Sequence, residues 1–304
     1  MFKMKIRPKL TSTNSQFSAT EWYPKNFDAF LEEFDHIVSF GTQTNRLLLF
    51  RGQADYRWLL DSTIIRWIKK NVFGISELSK LKSPFQCSQY ANLLLGSLLL
   101  FKFKVSTSPS KELFQLAENK PQIDPYFEWM KRIQQYPKED LGAMKGTFLL
   151  DWTQNRDVAL YFANLRADDK TAGAVFIADS TAMGSVLHQD KNVEGFLEQL
   201  SEKIYSNEAV GCPLLFSPRA QKHQQRATNQ EAVYFAQMDL RLDLAEHWSL
   251  MMEKCQDGDL LFIKLILPPG SGEQCKKWLE EKGITKDFLF PDEKERRSDE
   301  NTQI

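Results

Sequence analysis

The sequence predicts an α+β domain built on a mixed, mainly antiparallel sheet, with a helical insertion at about 75–136. Three observations lead there. Apolar runs of strand length and stretches of helical spacing follow one another without the regular alternation of a doubly wound parallel sheet. No GxGxxG and no GxxxxGK[ST] follows any strand candidate, which sets aside Rossmann and P-loop nucleotide sites. Finally, 304 residues with 42% hydrophobic and 26% charged content have the make-up of a globular chain able to bury a sizeable core.

Residues 1–20 are polar, rich in Ser and Thr and without periodicity, so a loose arm is expected there. Phe27, Phe30, Leu31, Phe34, Ile37 and Val38 then repeat at helical spacing and predict a helix with one buried face. The run Leu47-Leu48-Leu49-Phe50-Arg51-Gly52-Gln53 reads as a buried strand closed by polar and turn-forming residues. Leu60, Ile64, Ile65 and Ile68 predict a second helix over 59–68, with Asp61 or Ser62 as its cap. From 76 to 136 the pattern is helical, broken near Pro84, 106–110 and 121–125, and 137–146 is expected as a loop over a site.

Phe148-Leu149-Leu150-Asp151-Trp152-Thr153 is a second strand ending in polar groups, and it leads into helix-forming Val158 to Ala163. Strands are expected at 174–179, 213–216, 231–236 and 260–267, and helices at 193–205, 240–255 and 272–282. The charged end from Asp292 on is expected to be a tail. The predicted organisation is thus an arm at 1–20, one domain over 21–292 and a tail at 293–304.

A net charge of −1 gives no whole-molecule field for nucleic acid or anionic lipid. Cys87, Cys212, Cys255 and Cys275 form no CxxC pair, and His36, His188, His223 and His247 show no metal-binding spacing, so no metal is expected. With no signal peptide or membrane-length apolar segment in view, a cytoplasmic location is expected.

Arg51 is the costliest residue in this pattern. A guanidinium at the end of a buried strand needs anionic or carbonyl partners, since burying it unpaired costs several kcal/mol or more. Two readings stay open: an internal ion pair, or a ligand-binding group. Gly52 beside it admits either a ligand or another backbone. Asp151, Trp152 and Thr153 are expected to face the same cleft. Trp152 is equally at home in a core, and Asp151 and Thr153 could instead pair with Arg51 or cap the following helix.

Phe50-Arg51-Gly52-Gln53, then LLDWT, four residues and VALYFA, resemble the FRG domain family, named for its Phe-Arg-Gly motif. Gly283-Ile284 and Phe288-Leu289-Phe290-Pro291-Asp292 are similar to that family's closing segment. The family runs a histidine and a Gly-x-Pro-Thr-Arg segment straight into LLDWT. Here Gln134-Gln135-Tyr136 is separated from it by 137–146, and Phe148 takes the arginine's place. The resemblance also brings in Arg226 and Gln230, because the family carries an arginine and then a glutamine entering a strand.

In motif order the chain further resembles ADP-ribosyltransferases of the Arg–Ser–Glu type. That likeness implies an ADP-ribosyltransferase-like core with NAD as substrate. Arg51, Gly52, Gln53, Asp151, Trp152, Thr153 and Arg226 would bind the nucleotide, and Glu231 or Gln230 would act on the ribose and on an unidentified macromolecular acceptor. A carboxylate there would stabilise the oxocarbenium-like state as the nicotinamide bond breaks. The family context implies a toxin or antiviral-defence role, and a nucleotide- or phage-component-sensing module of the same fold is the alternative.

Overall fold

The computed structural model describes residues 20–73, 146–166, 171–180, 214–216, 225–237 and 262–291, with positions 115, 118, 119, 130, 131, 134, 243–245 and 248. Strands β1 (Thr20–Trp22), β2 (Leu48–Gln53), β3 (Leu149–Thr153), β4 (Ala174–Asp179), β5 (Leu214–Phe216), β6 (Ala232–Ala236) and β7 (Phe262–Ile266) form one sheet. Its order is β1-β7-β4-β2-β3-β6-β5. β1 runs parallel to β7, and the other neighbours are antiparallel. The helices are α1 (Phe27–Gln43), α2 (Thr63–Ile68), α3 (Arg156–Ala163), α4 (Gln225–Asn229), α5 (Gly272–Glu281) and α6 (Lys286–Leu289), with a π-helical turn at Lys69–Phe73. The fold is α+β, with a mixed and mainly antiparallel sheet.

Alternation along the strands divides the core between two faces of the sheet. Leu48 and Phe50 of β2, Val175 and Ile177 of β4, and Ile263 and Leu265 of β7 lie under α1, α3, α5 and α6. Helix α1 supplies Phe27, Phe30, Phe34 and Ile37 at three- and four-residue spacing, and the Asn26 side chain caps it by accepting from the Ala29 N–H at 2.9 Å. The other face gathers Leu49, Leu150, Trp152, Phe176, Val233, Phe235 and Phe262 against Leu60, Leu244 and Trp248. Each large side chain buried here contributes roughly 1.5–3 kcal/mol of transfer free energy.

Several sequence expectations need correction. The second helix begins at Thr63, because Leu60 enters the core and the Leu60 and Ser62 amides donate to Asp243 and Gln237. Ser62 stands at its N-cap without a side-chain bond. The cap of α3 is Asn155, whose Oδ1 accepts from Asp157 N at 3.0 Å, rather than Asp151 or Thr153. Strand β6 starts at Ala232, since Glu231 turns into the left-handed region at φ 43°. β1, α4 and α6 were not anticipated.

Within 75–136 only Gln115, Glu118, Asn119, Met130, Lys131 and Gln134 are described, all of them helical. The remainder of that insertion, the loop at 137–145, the helix at 193–205, the arm before Thr20 and the tail lie outside the described residues. Among the described residues no helix is long and apolar enough to cross a membrane.

Candidate functional site

The centre of the sheet is split. β2 pairs with β4 along its whole length, and β3 pairs with β6 along its whole length. Between β2 and β3 the ladder consists of one pair, Phe50 with Thr153. Beyond it the strands part, and Arg51 fills the gap, its Nη1 donating to the backbone carbonyl of Asp151. Burial pulls the Arg51 guanidinium down to about 10, the nearby Asp151 charge opposes that, and Arg66 adds to it. The Arg51 Nε is buried with no hydrogen-bond partner.

Asp151 is the second member. Its Oδ2 accepts from Gln134 Nε2 at 2.7 Å, and Gln134 Oε1 in turn accepts from the Thr147 hydroxyl at 2.7 Å. The carboxylate stays open to solvent, yet surrounding protein displaces enough water to push its pKa up. Partial desolvation by neighbouring atoms disfavours the charged form in this way. Arg51, the Gln134 hydrogen bond, Arg226 and Arg66 all pull the other way. Three guanidinium groups therefore act on one carboxylate.

Arg66 is placed from α2, with Nη1 donating to Asp61 O at 3.0 Å, and burial holds its pKa below the ordinary value. The Asp61 side chain is itself locked by Lys69 and by Gln237 Nε2 at 3.0 Å. Arg226 comes from α4, with its guanidinium carbon 4.5 Å from the centre of the Phe290 ring.

Other expected site residues are placed elsewhere. Paired antiparallel residues lie on one face, so Thr153, and Asp151 two residues before it, share the Phe50 face, and what Asp151 brings to Arg51 is its backbone carbonyl. The Thr153 hydroxyl donates to Gln230 O at 2.6 Å and accepts from Asn155 N at 2.9 Å, which makes it a joint between β3, α3 and α4. Trp152 is buried, edge-on to Phe235 at 5.0 Å and stacked on Trp248. Gln53 is buried and reaches Leu59 O at 3.3 Å. Gly52 admits a backbone and not a ligand, because an added Cβ would meet Ala159 O of α3 at 1.9 Å.

Gln230 and Glu231 were expected to alternate along a strand, and neither lies on one. The Gln230 amide donates to Leu289 O at 3.0 Å. Glu231 is exposed, and its Oε1 accepts from Asn155 Nδ2 at 2.9 Å. It is not among the groups that perturb Arg51 or Asp151. Arg57, just after β2, pairs with Asp55 at 2.6 Å. Gln134 was missed as a site residue, the only signal being that it opens the Gln134-Gln135-Tyr136 segment set apart from LLDWT.

Among the described residues no group of His, Cys, Asp and Glu could hold a metal ion. The arrangement suits an anion instead. A buried guanidinium with a spare N–H, reinforced by two more, matches the geometry of phosphate oxygens. No curated protein and no solved structure matches the chain. Residues 46–172, from the approach to β2 through β3 and α3, match the family model of the FRG domain.

Proposed function

We propose that the chain binds a diphosphate-bearing nucleotide, NAD first among the ligands to test, in the split between β2 and β3. The observation that carries this reading is the buried Arg51 at the split, bonded to the Asp151 carbonyl with its Nε unpartnered, while Arg66 and Arg226 also act on the Asp151 carboxylate. A desolvated Arg51 guanidinium that Arg66 depresses further is relieved by an incoming anion, and two phosphates supply the charge. Arg51 would take one phosphate through its free Nε and remaining N–H groups. Asp151 and Gln134 would serve ribose hydroxyls. This favours nucleotide binding or sensing over the full transferase expectation, since Thr153 and Gln230 are held in structural bonds.

The test is calorimetric titration of the full chain with NAD, ADP-ribose and pyrophosphate. Arg51→Lys keeps the charge and loses the fork, so affinity is expected to fall by about 1–3 kcal/mol, roughly 5- to 150-fold. A wild-type chain that binds none of the three, or an Arg51→Lys variant that binds equally well, would overturn the proposal. A variant that melts far below wild type would assign Arg51 to the fold.

A second reading, ADP-ribosyl transfer or NAD hydrolysis, rests on Glu231. A non-glycine residue at φ 43° is held against its backbone preference, which costs on the order of 1–3 kcal/mol, and such strain gathers at functional sites. Under that reading Glu231→Gln abolishes nicotinamide release while NAD binding survives, because a catalytic carboxylate acts mainly on the transition state. Wild-type protein that binds NAD and releases no nicotinamide, with or without cell extract as a source of acceptor, rejects it. A cytoplasmic toxin or antiviral-defence role is the cellular setting that the family resemblance implies for either reading.

A further inference from the structure

We infer that Phe290, in the chain's closing segment, is a positioning residue for the anion site, its ring holding the Arg226 guanidinium where it acts on Asp151. The inference rests on the proposed anion site and adds a part of the chain lying outside the FRG match. Arg226 sits on a five-residue helix, α4. So short a helix gives a long, flexible side chain little direction of its own. Phe290 supplies one fixed contact, its ring centre lying 4.5 Å from the guanidinium carbon. That is close range for a cation over an aromatic face.

The ring is itself braced. It meets Phe162 edge-on at 6.1 Å and Tyr161 at 6.5 Å, both on α3. Helix α3 follows directly from β3, the strand that carries Asp151. The backbone on either side is tied as well. Asn229 Nδ2 donates to Phe288 O, and Gln230 Nε2 donates to Leu289 O at 3.0 Å. A circuit of contacts runs from β3 through α3, the Phe162 and Tyr161 rings and Phe290 to Arg226, whose charge bears on Asp151. The Gln230 amide, expected at the reacting centre, instead fastens this circuit.

An apolar staple for α6 would give the same burial with any ring-sized side chain, and the test separates the two roles. Leu fills a similar apolar volume without a π-face, whereas Tyr retains the face. Phe290→Leu is expected to weaken pyrophosphate and NAD binding about three- to tenfold, and Phe290→Tyr to restore it to within about twofold. In an Arg226→Gln background Phe290→Leu should add nothing, because the cation it positions is gone. A ligand-independent readout accompanies these: the Arg226 Nε–H resonance in arginine-labelled protein should carry a ring-current shift that Phe290→Leu removes and Phe290→Tyr keeps. Equal affinities for the Leu and Tyr variants, or an additive double variant, overturn the positioning role. Wild-type protein with the ring-current shift but no anion binding sinks the proposed site and leaves the Arg226–Phe290 contact standing without a function.

Discussion

Gly52→Ala is expected to lose most of the fold's stability, leaving protein that is largely insoluble or molten. An added Cβ would lie 1.9 Å from Ala159 O, 2.6 Å from Ala163 N and 2.9 Å from Ala159 C. All three are backbone atoms, so no rotamer change clears the clash, and α3 as a whole must lift from the sheet. Overpacking that a core can absorb costs about 1–3 kcal/mol, and this case lies at or beyond the upper end. Helix α3 has little room to shift, because Gly173 packs as closely on the same C-terminal half, with an added Cβ there meeting Ala163 O at 1.9 Å. Val158, Ala159, Leu160 and Ala163 would leave the core together. Soluble yield and thermal melting of the variant check the expectation, and a melting temperature within a few degrees of wild type would contradict the close packing. The glycine that makes the chain resemble its family is therefore explained by a helix lying directly on a strand.

The elements legible in the sequence were those whose pattern is local. Phe27 to Ile37 repeat at helical spacing because one stripe of α1 is buried, and the run into Arg51 reads as a strand because both its faces are. The 174–179 strand is found with the bounds expected, its residues all buried. What stayed hidden depends on distant partners. β1 is three residues, TEW, with no alternation to read, and it exists because it pairs with β7 across most of the chain. Helix α4, QRATN, carries no apolar stripe and is held by its ties to α6. The apolar residue Leu60 extended the expected helix too far toward the N-terminus, because helical spacing alone does not reveal that its side chain belongs to another face.

The site shows the same division. Arg51 and Asp151 could be picked out as polar groups at the ends of apolar strands, and the structure brings them together. The face of Thr153 could not be read, because a single step of register moves every side chain across the sheet. Nor could the split between β2 and β3, which turns an ordinary sheet position into an opening. Gln134 lies 17 residues before Asp151 on a helical segment, and no pattern in sequence links the two. The choice between Gln230 and Glu231 assumed a strand, and a left-handed turn stands there instead.

Lys69→Met is expected to destabilise the protein by about 3–5 kcal/mol, the cost of removing one partner of a buried ion pair. Lys69 and Asp61 are 5% and 1% exposed, so the carboxylate left behind would have little water to turn to. Gln237 Nε2 would remain its one side-chain donor, and Gln237 Oε1 is already taken by the Ser62 N–H at 2.6 Å. The penalty arises from an unpaired charge rather than from lost packing, since Met fills much of the space of the lysine stem. Adding Asp61→Asn should therefore recover a large part of the loss, because the amide oxygen still accepts from Gln237 and the charge is gone. Thermal or urea unfolding of the single and double variants measures this, and a double variant no more stable than Lys69→Met would place the loss in packing. The effect reaches the anion site as well, because the Asp61 carbonyl is what Arg66 Nη1 grips at 3.0 Å. A Lys69→Met chain that still folds at low temperature should bind pyrophosphate more weakly than wild type, although Lys69 is buried away from the split.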